Sequence, residues 1–133
     1  MRAFLLAVLI SIAAFQVKAQ SEPDIQAVIE NQFDAFSKGD LERAYSYASP
    51  MIQTFFPTPD VFGQLVRRKY PMIWAPEKVT YLGLRHEGER LLERVQVIGT
   101  DGALSLFDYE VLQVDGLWRI NGVFPVRVDG VGV

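Results

Sequence analysis

The acidic–glycine pairs Glu87-Gly88, Asp101-Gly102 and Asp115-Gly116 divide the second half of the chain. Such dipeptides reach the left-handed backbone region that tight hairpin turns require. Between them lie runs rich in Val, Leu, Tyr and Phe, with apolar side chains recurring at every second residue. The spacing predicts four strands near 78–86, 90–99, 103–114 and 117–128, joined as an antiparallel meander. A sheet of this kind has one face that must be covered, and the residues before it have to do the covering.

Those residues read as helices. Ser21-Glu22-Pro23-Asp24 offers a serine cap with an acid three residues on and a proline in the first turn. Ile25, Val28, Ile29, Phe33 and Phe36 then recur at helical spacing, with Glu30, Asn31, Asp34 and Lys38 on the other side. Gly39 ends that helix and Asp40 caps the next, which carries Leu41, Ala44, Tyr45 and Ala48 until Ser49-Pro50 stops it. A third, after Thr58-Pro59, shows Phe62, Leu65, Val66 and Tyr70 on one face, although Gly63 weakens it. Helices first and strands afterwards is the order of an α+β domain, with helices packed on one face of a four-stranded antiparallel sheet.

The turns also fix which side chains face the helices. A two-residue turn at Asp115-Gly116 sets Gln113 opposite Trp118, Val111 opposite Ile120, Tyr109 opposite Gly122 and Phe107 opposite Phe124. At the preceding hairpin, a two-residue turn would drive Arg94 into the core, at a cost on the order of several kcal/mol for an unpaired buried charge. A three-residue turn, Thr100-Asp101-Gly102 with a left-handed glycine, instead sets Arg94 beside Asp108 on the outer face. In that register Glu93 points inward, opposite Tyr109. It is the only acid of the central strands placed on the core face.

The beginning of the chain has a different character. Met1-Arg2 is followed by 13 uncharged residues, Ala3 to Phe15, and then by Val17-Lys18-Ala19. A basic start, a short apolar run and small residues before the break describe a secretory signal peptide cut after Ala19. The run is too short for the roughly 20 residues of a membrane-spanning helix. Loss of Arg2 and Lys18 from the 13 basic residues, with all 16 acids retained, leaves a net charge of −5 on residues 20–133, which form one domain. That sign argues against a nucleic-acid surface. The absence of cysteine removes disulfides, thiolate metal sites and a thiol nucleophile, and a single histidine removes a histidine-rich metal site. No phosphate-cradling glycine loop implies a cofactor, and no nucleophile elbow offers a catalytic serine.

The order of elements, ending in Asp115-Gly116-Leu117-Trp118-Arg119-Ile120-Asn121-Gly122, resembles the cone-shaped domains of the nuclear transport factor 2-like (SnoaL-like) superfamily. Ala48-Ser49-Pro50, Ile52-Gln53, Tyr70-Pro71, Trp74-Ala75-Pro76 and Leu82-Gly83-Leu84-Arg85 are similar to an uncharacterised family of exported bacterial proteins within it. The resemblance spans about residues 24–126. It implies a curved sheet wrapped round a helix and an apolar pocket open at one end. It implies no single activity, because the superfamily holds isomerases, dehydratases, hydrolases and plain binding modules.

Two function classes follow. One is an exported, non-catalytic binding or interaction module whose cone accepts a small apolar ligand, with Tyr45, Tyr109 and Trp118 as pocket aromatics. The other is a proton-transfer isomerase or dehydratase, with Glu93 as base beside Tyr109, since burial raises a carboxyl toward neutrality. The lack of a second catalytic group favours binding. His86, beside a turn and among charged neighbours, reads as solvated. Asp108 and Glu110 read as a charge ladder with Arg94 and Arg119, and Arg67-Arg68-Lys69 as a complement to its helix dipole. Leu106, Leu112, Val114, Leu117, Val123 and Pro125 on the outer face predict a homodimer paired through that face.

Overall fold

A computed structural model describes residues 13–128, with side chains from residue 21 onward. Five helices, α1 (Ala13–Ser37), α2 (Leu41–Ser46), α3 (Pro50–Phe55), α4 (Pro59–Lys69) and α5 (Pro71–Trp74), precede four strands. The strands are β1 (Lys78–Glu87), β2 (Arg90–Ile98), β3 (Leu104–Val114) and β4 (Leu117–Val126), in the sheet order β1-β2-β3-β4. The expected α+β fold is present, as an open antiparallel sheet with helices packed against it. Its core joins Ile25, Ile29, Phe33 and Phe36 of α1 to Val95, Val97, Phe107, Tyr109, Val111 and Ile120 of the sheet.

The helix boundaries show how capping outweighs a simple reading of proline. Ser49-Pro50 does not merely stop a helix. The Ser49 hydroxyl accepts from the Ile52 N–H and Pro50 takes the first helical position, so a new helix starts there. Pro71 opens α5 in the same way, but with no side-chain cap. At the other end, α1 begins before the expected serine cap: it runs unbroken from Ala13, with Pro23 inside it. Proline takes away its own N–H bond and its ring crowds the carbonyl four residues back, and the helix runs on despite that local cost. Residues 1–12 of the expected signal segment lie outside the described residues.

Gly63 inside α4 has a packing reason. A Cβ there would lie 2.3 Å from a Leu41 methyl, so the glycine lets α4 close onto α2. Asp40 caps α2 as expected, accepting from the Arg43 N–H.

In the sheet, Glu93 pairs with Tyr109 and Arg94 with Asp108, as the three-residue turn requires. Gly99 N–H closes that turn on the Ala103 carbonyl, and Gly102 is left-handed at φ 80°. The β3–β4 pairing follows the expected register only from the turn to Val111–Ile120. There Asn121 is an extra residue, and beyond it Tyr109 faces Val123, Phe107 faces Pro125, and Asp108 faces Phe124. The expected pairs Tyr109–Gly122 and Phe107–Phe124 are therefore corrected by one residue.

Two side-chain bonds hold Asn121 as a bulge: it donates to Glu110 Oε2 and accepts from the buried Ser49 hydroxyl. Val123 and Pro125 move into line with the inner face, and Phe124 moves outward. Two of the six aliphatic side chains of the expected pairing face thus leave it. Its acids are also engaged within the chain, Asp108 with Arg85 and Arg94, and Glu110 with Arg90.

Candidate functional site

Glu93 is fully buried beneath α1, as the register construction places it. Gln26 of α1 donates to its Oε1 across 3.4 Å, and the Gly83 backbone N–H adds a second bond. That N–H is available because β1 is irregular between Tyr81 and Gly83, where Gly83 adopts φ 138°. The other oxygen, Oε2, has no partner among the described residues. Burial is the main force pushing the Glu93 carboxyl up to about 7, and the nearby charge of Glu22 adds to it. The bonds from Gln26 and Gly83 oppose the shift. Tyr81, close by, donates to Glu30 of α1 at 2.6 Å, and its phenol is raised first by burial and then by that carboxylate.

A cavity of about 320 Å³ opens elsewhere, between α3, α4 and α5 and the bulged part of β4. Phe36, Phe62, Val66, Ile73 and Ile120 form its inner wall, and Ile52 and Phe56 flank it. Its mouth carries Met51, Phe55 and Phe124, which are 48%, 71% and 44% exposed. The four polar residues that line it are Gln32, Tyr70, Tyr109 and Asn121, and no charged side chain does. Glu93 is not on its wall.

Of the three aromatics expected at a pocket, Tyr109 lines this cavity. Its phenol is raised by burial alone, with no hydrogen bond or charge contributing. Tyr45 is a strut. Its hydroxyl donates toward the Phe56 and Gln53 carbonyls, and its ring lies 5.7 Å from Phe62. Trp118 lines a separate, more polar cleft between α1 and the β3–β4 turn, with Asp24, Asn31, Tyr47 and Arg119.

The remaining sequence candidates lie apart from the cavity. His86 is exposed at the end of β1. Asp108 sits between two guanidinium groups, taking paired bonds from Arg85 at 2.9 and 2.8 Å and from Arg94 at 3.0 and 3.1 Å. The Arg85 bonds are the largest cause holding its carboxyl down at about 2. Arg119 donates to the Trp118 carbonyl. Arg67 stacks over Trp74 at 5.5 Å, while Arg68 and Lys69 are exposed at the end of α4.

Sequence reasoning overlooked Gln32, whose side chain is among the core residues. The signal was available: Gln32 falls three residues after Ile29 and seven after Ile25, on the apolar stripe of α1. Phe55 belongs to the aromatic set the sequence offers for a pocket, but Met51 was missed with helix α3 itself, and Phe124 was turned inward by the uncorrected register.

Among the described residues no helix is long and apolar enough to cross a membrane, and no group of three or more His, Cys, Asp or Glu side chains is placed to hold a metal. The family model described as a domain of unknown function (DUF4864) matches residues 18–133. No curated protein and no solved structure matches the chain.

Proposed function

The chain belongs to the DUF4864 family, and from the shape of its cavity we propose that it is an exported, non-catalytic module that binds a small apolar molecule. The observation that carries this reading is the cavity between α3, α4, α5 and β4: about 320 Å³, with apolar walls and no charged side chain. The order of helices and meander around it supports kinship with the cone-shaped nuclear transport factor 2-like domains. The basic start, the short apolar run and Ala19 support export and cleavage before Gln20.

The proton-transfer alternative has less behind it. Glu93 has the raised pKa of a general base, but it is sealed under α1 and lines no part of the cavity. A base must lie within hydrogen-bond reach of the proton it takes.

The test is titration of the purified protein with the neutral fluorophore N-phenyl-1-naphthylamine. Saturable binding is expected, abolished by Ile52→Trp, which fills the cavity. Absence of saturable binding, or binding indifferent to Ile52→Trp, overturns the reading. Intact mass of the exported product tests processing. A product that retains residues 1–19 overturns that part.

A further inference from the structure

The polar residues of the cavity are not equivalent. Asn121 is spent, with its oxygen accepting from Ser49 and its nitrogen donating to Glu110. Tyr70 is only partly buried, and its ring meets Phe107 edge-on at 5.9 Å. Gln32 and Tyr109 are different: both are at least 97% buried and both line the cavity.

The Gln32 amide nitrogen donates to the Ala44 carbonyl at 3.2 Å, which fixes the orientation of the amide. Its oxygen is thereby left as a free acceptor. Among the described residues the Tyr109 hydroxyl has no hydrogen-bond partner, and burial raises its phenol. Among the described residues, the one sealed side-chain polar atom without a partner is Glu93 Oε2. Gln32 and Tyr109 both line the cavity, which is the open space beside them. A buried polar group left unmet costs about 1–3 kcal/mol, so a ligand that meets both is selected over one that meets neither.

Resting on the binding reading above, we propose that the cavity takes a neutral, single-chain amphiphile head first. Its hydroxyl-type head group donates to the Gln32 carbonyl and accepts from the Tyr109 hydroxyl, and its chain runs out past Phe62 and Ile52 toward Met51 and Phe55. The head group is uncharged because no cationic side chain lines the cavity to offset burial of an anion, and no carboxylate does so for a cation. The exposed apolar mouth suits a chain that extends beyond the walls.

The experiment is displacement of N-phenyl-1-naphthylamine from the purified protein by 1-alkanols, by their methyl ethers and by the matching alkanoates at pH 8. Decanol is expected to displace the fluorophore at a concentration at least tenfold below that of decanoate, whose charge the cavity cannot meet. The methyl ether, which has no donor for Gln32, binds about fivefold more weakly than the alcohol. From hexanol to decanol each added methylene strengthens binding about fourfold. Tyr109→Phe loses about fivefold for decanol, read against that variant's own fluorophore affinity. Fluorophore binding with equal displacement by alcohol, ether and alkanoate overturns the head-first arrangement while leaving the cavity as a binding site. An unchanged decanol affinity in Tyr109→Phe overturns it as well. If the wild type binds no fluorophore, the binding reading itself fails.

Discussion

Replacing Glu93 by glutamine isolates the energetic consequence of placing one carboxyl under α1. In the folded chain burial raises this carboxyl to about 7, against an ordinary value near 4.5. The folded state therefore holds the proton more tightly than the unfolded one. Stability tied to Glu93 is complete below about pH 4.5 and is lost as pH rises through 7. The full span of the shift corresponds to about 3 kcal/mol. Glutamine keeps the shape, retains an oxygen for the Gly83 N–H and never ionises. In urea denaturation Glu93→Gln should match the wild type within about 1 kcal/mol at pH 4.5 and exceed it by about 2–3 kcal/mol at pH 8.5, with most of the divergence between pH 5 and 7.5. A parallel pH profile for the two proteins would refute the reasoning, as would a variant less stable than wild type at pH 8.5. Either result would mean that the carboxylate is stabilised where it lies.

Gly63→Ala should destabilise by about 1–3 kcal/mol in thermal denaturation, because the new methyl strikes Leu41; gained helix propensity recovers at most about 1 kcal/mol. Ser49→Ala removes both the cap of α3 and the anchor of Asn121, and should cost about 2 kcal/mol in the same assay. Asp108→Asn leaves Arg85 and Arg94 facing one another and should cost about 1–2 kcal/mol at pH 7, with the two guanidinium groups about one-third exposed and partly screened. Because the Asp108 carboxyl is held down, the wild type loses this contribution as pH falls from about 4 through 2. The difference between the two proteins should therefore shrink in acid denaturation over that range.

How far the sequence reached depended on whether a signal was local. The meander, its turns and the inward Glu93 were legible because each hairpin is set by residues adjacent in the chain. The glycine of the Asp101-Gly102 turn, together with the cost of burying Arg94, was enough to choose a register. The Asn121 bulge was not legible, since its cause is a hydrogen bond to Ser49, 72 residues away. That one-residue displacement turned Phe124 outward and brought Val123 onto the wall of the cavity. Helix α3 was hidden by a choice between two meanings of Ser-Pro, stop or start, which only the geometry of the serine hydroxyl resolves. The cavity depends on both of these features, and so its wall could not be assembled from the pattern alone.

The short parallel bridge of Ala48 to Ile120 gives the outer border of β4 a further consequence. Ser49 N–H bonds the Ile120 carbonyl, and Ile120 N–H bonds the Tyr47 carbonyl, each at 2.8 Å, so the middle of that border is already occupied. The opposite border, along β1, is interrupted between Tyr81 and Gly83. A four-stranded open sheet ordinarily carries two ladders of unsatisfied backbone groups, ready to recruit a strand from another molecule. Here one ladder is plugged and the other bent, so neither offers a long flat template for cross-β growth. Loosening the Tyr47–Ser49 segment would lengthen the open stretch of the β4 border and with it the template for strand addition.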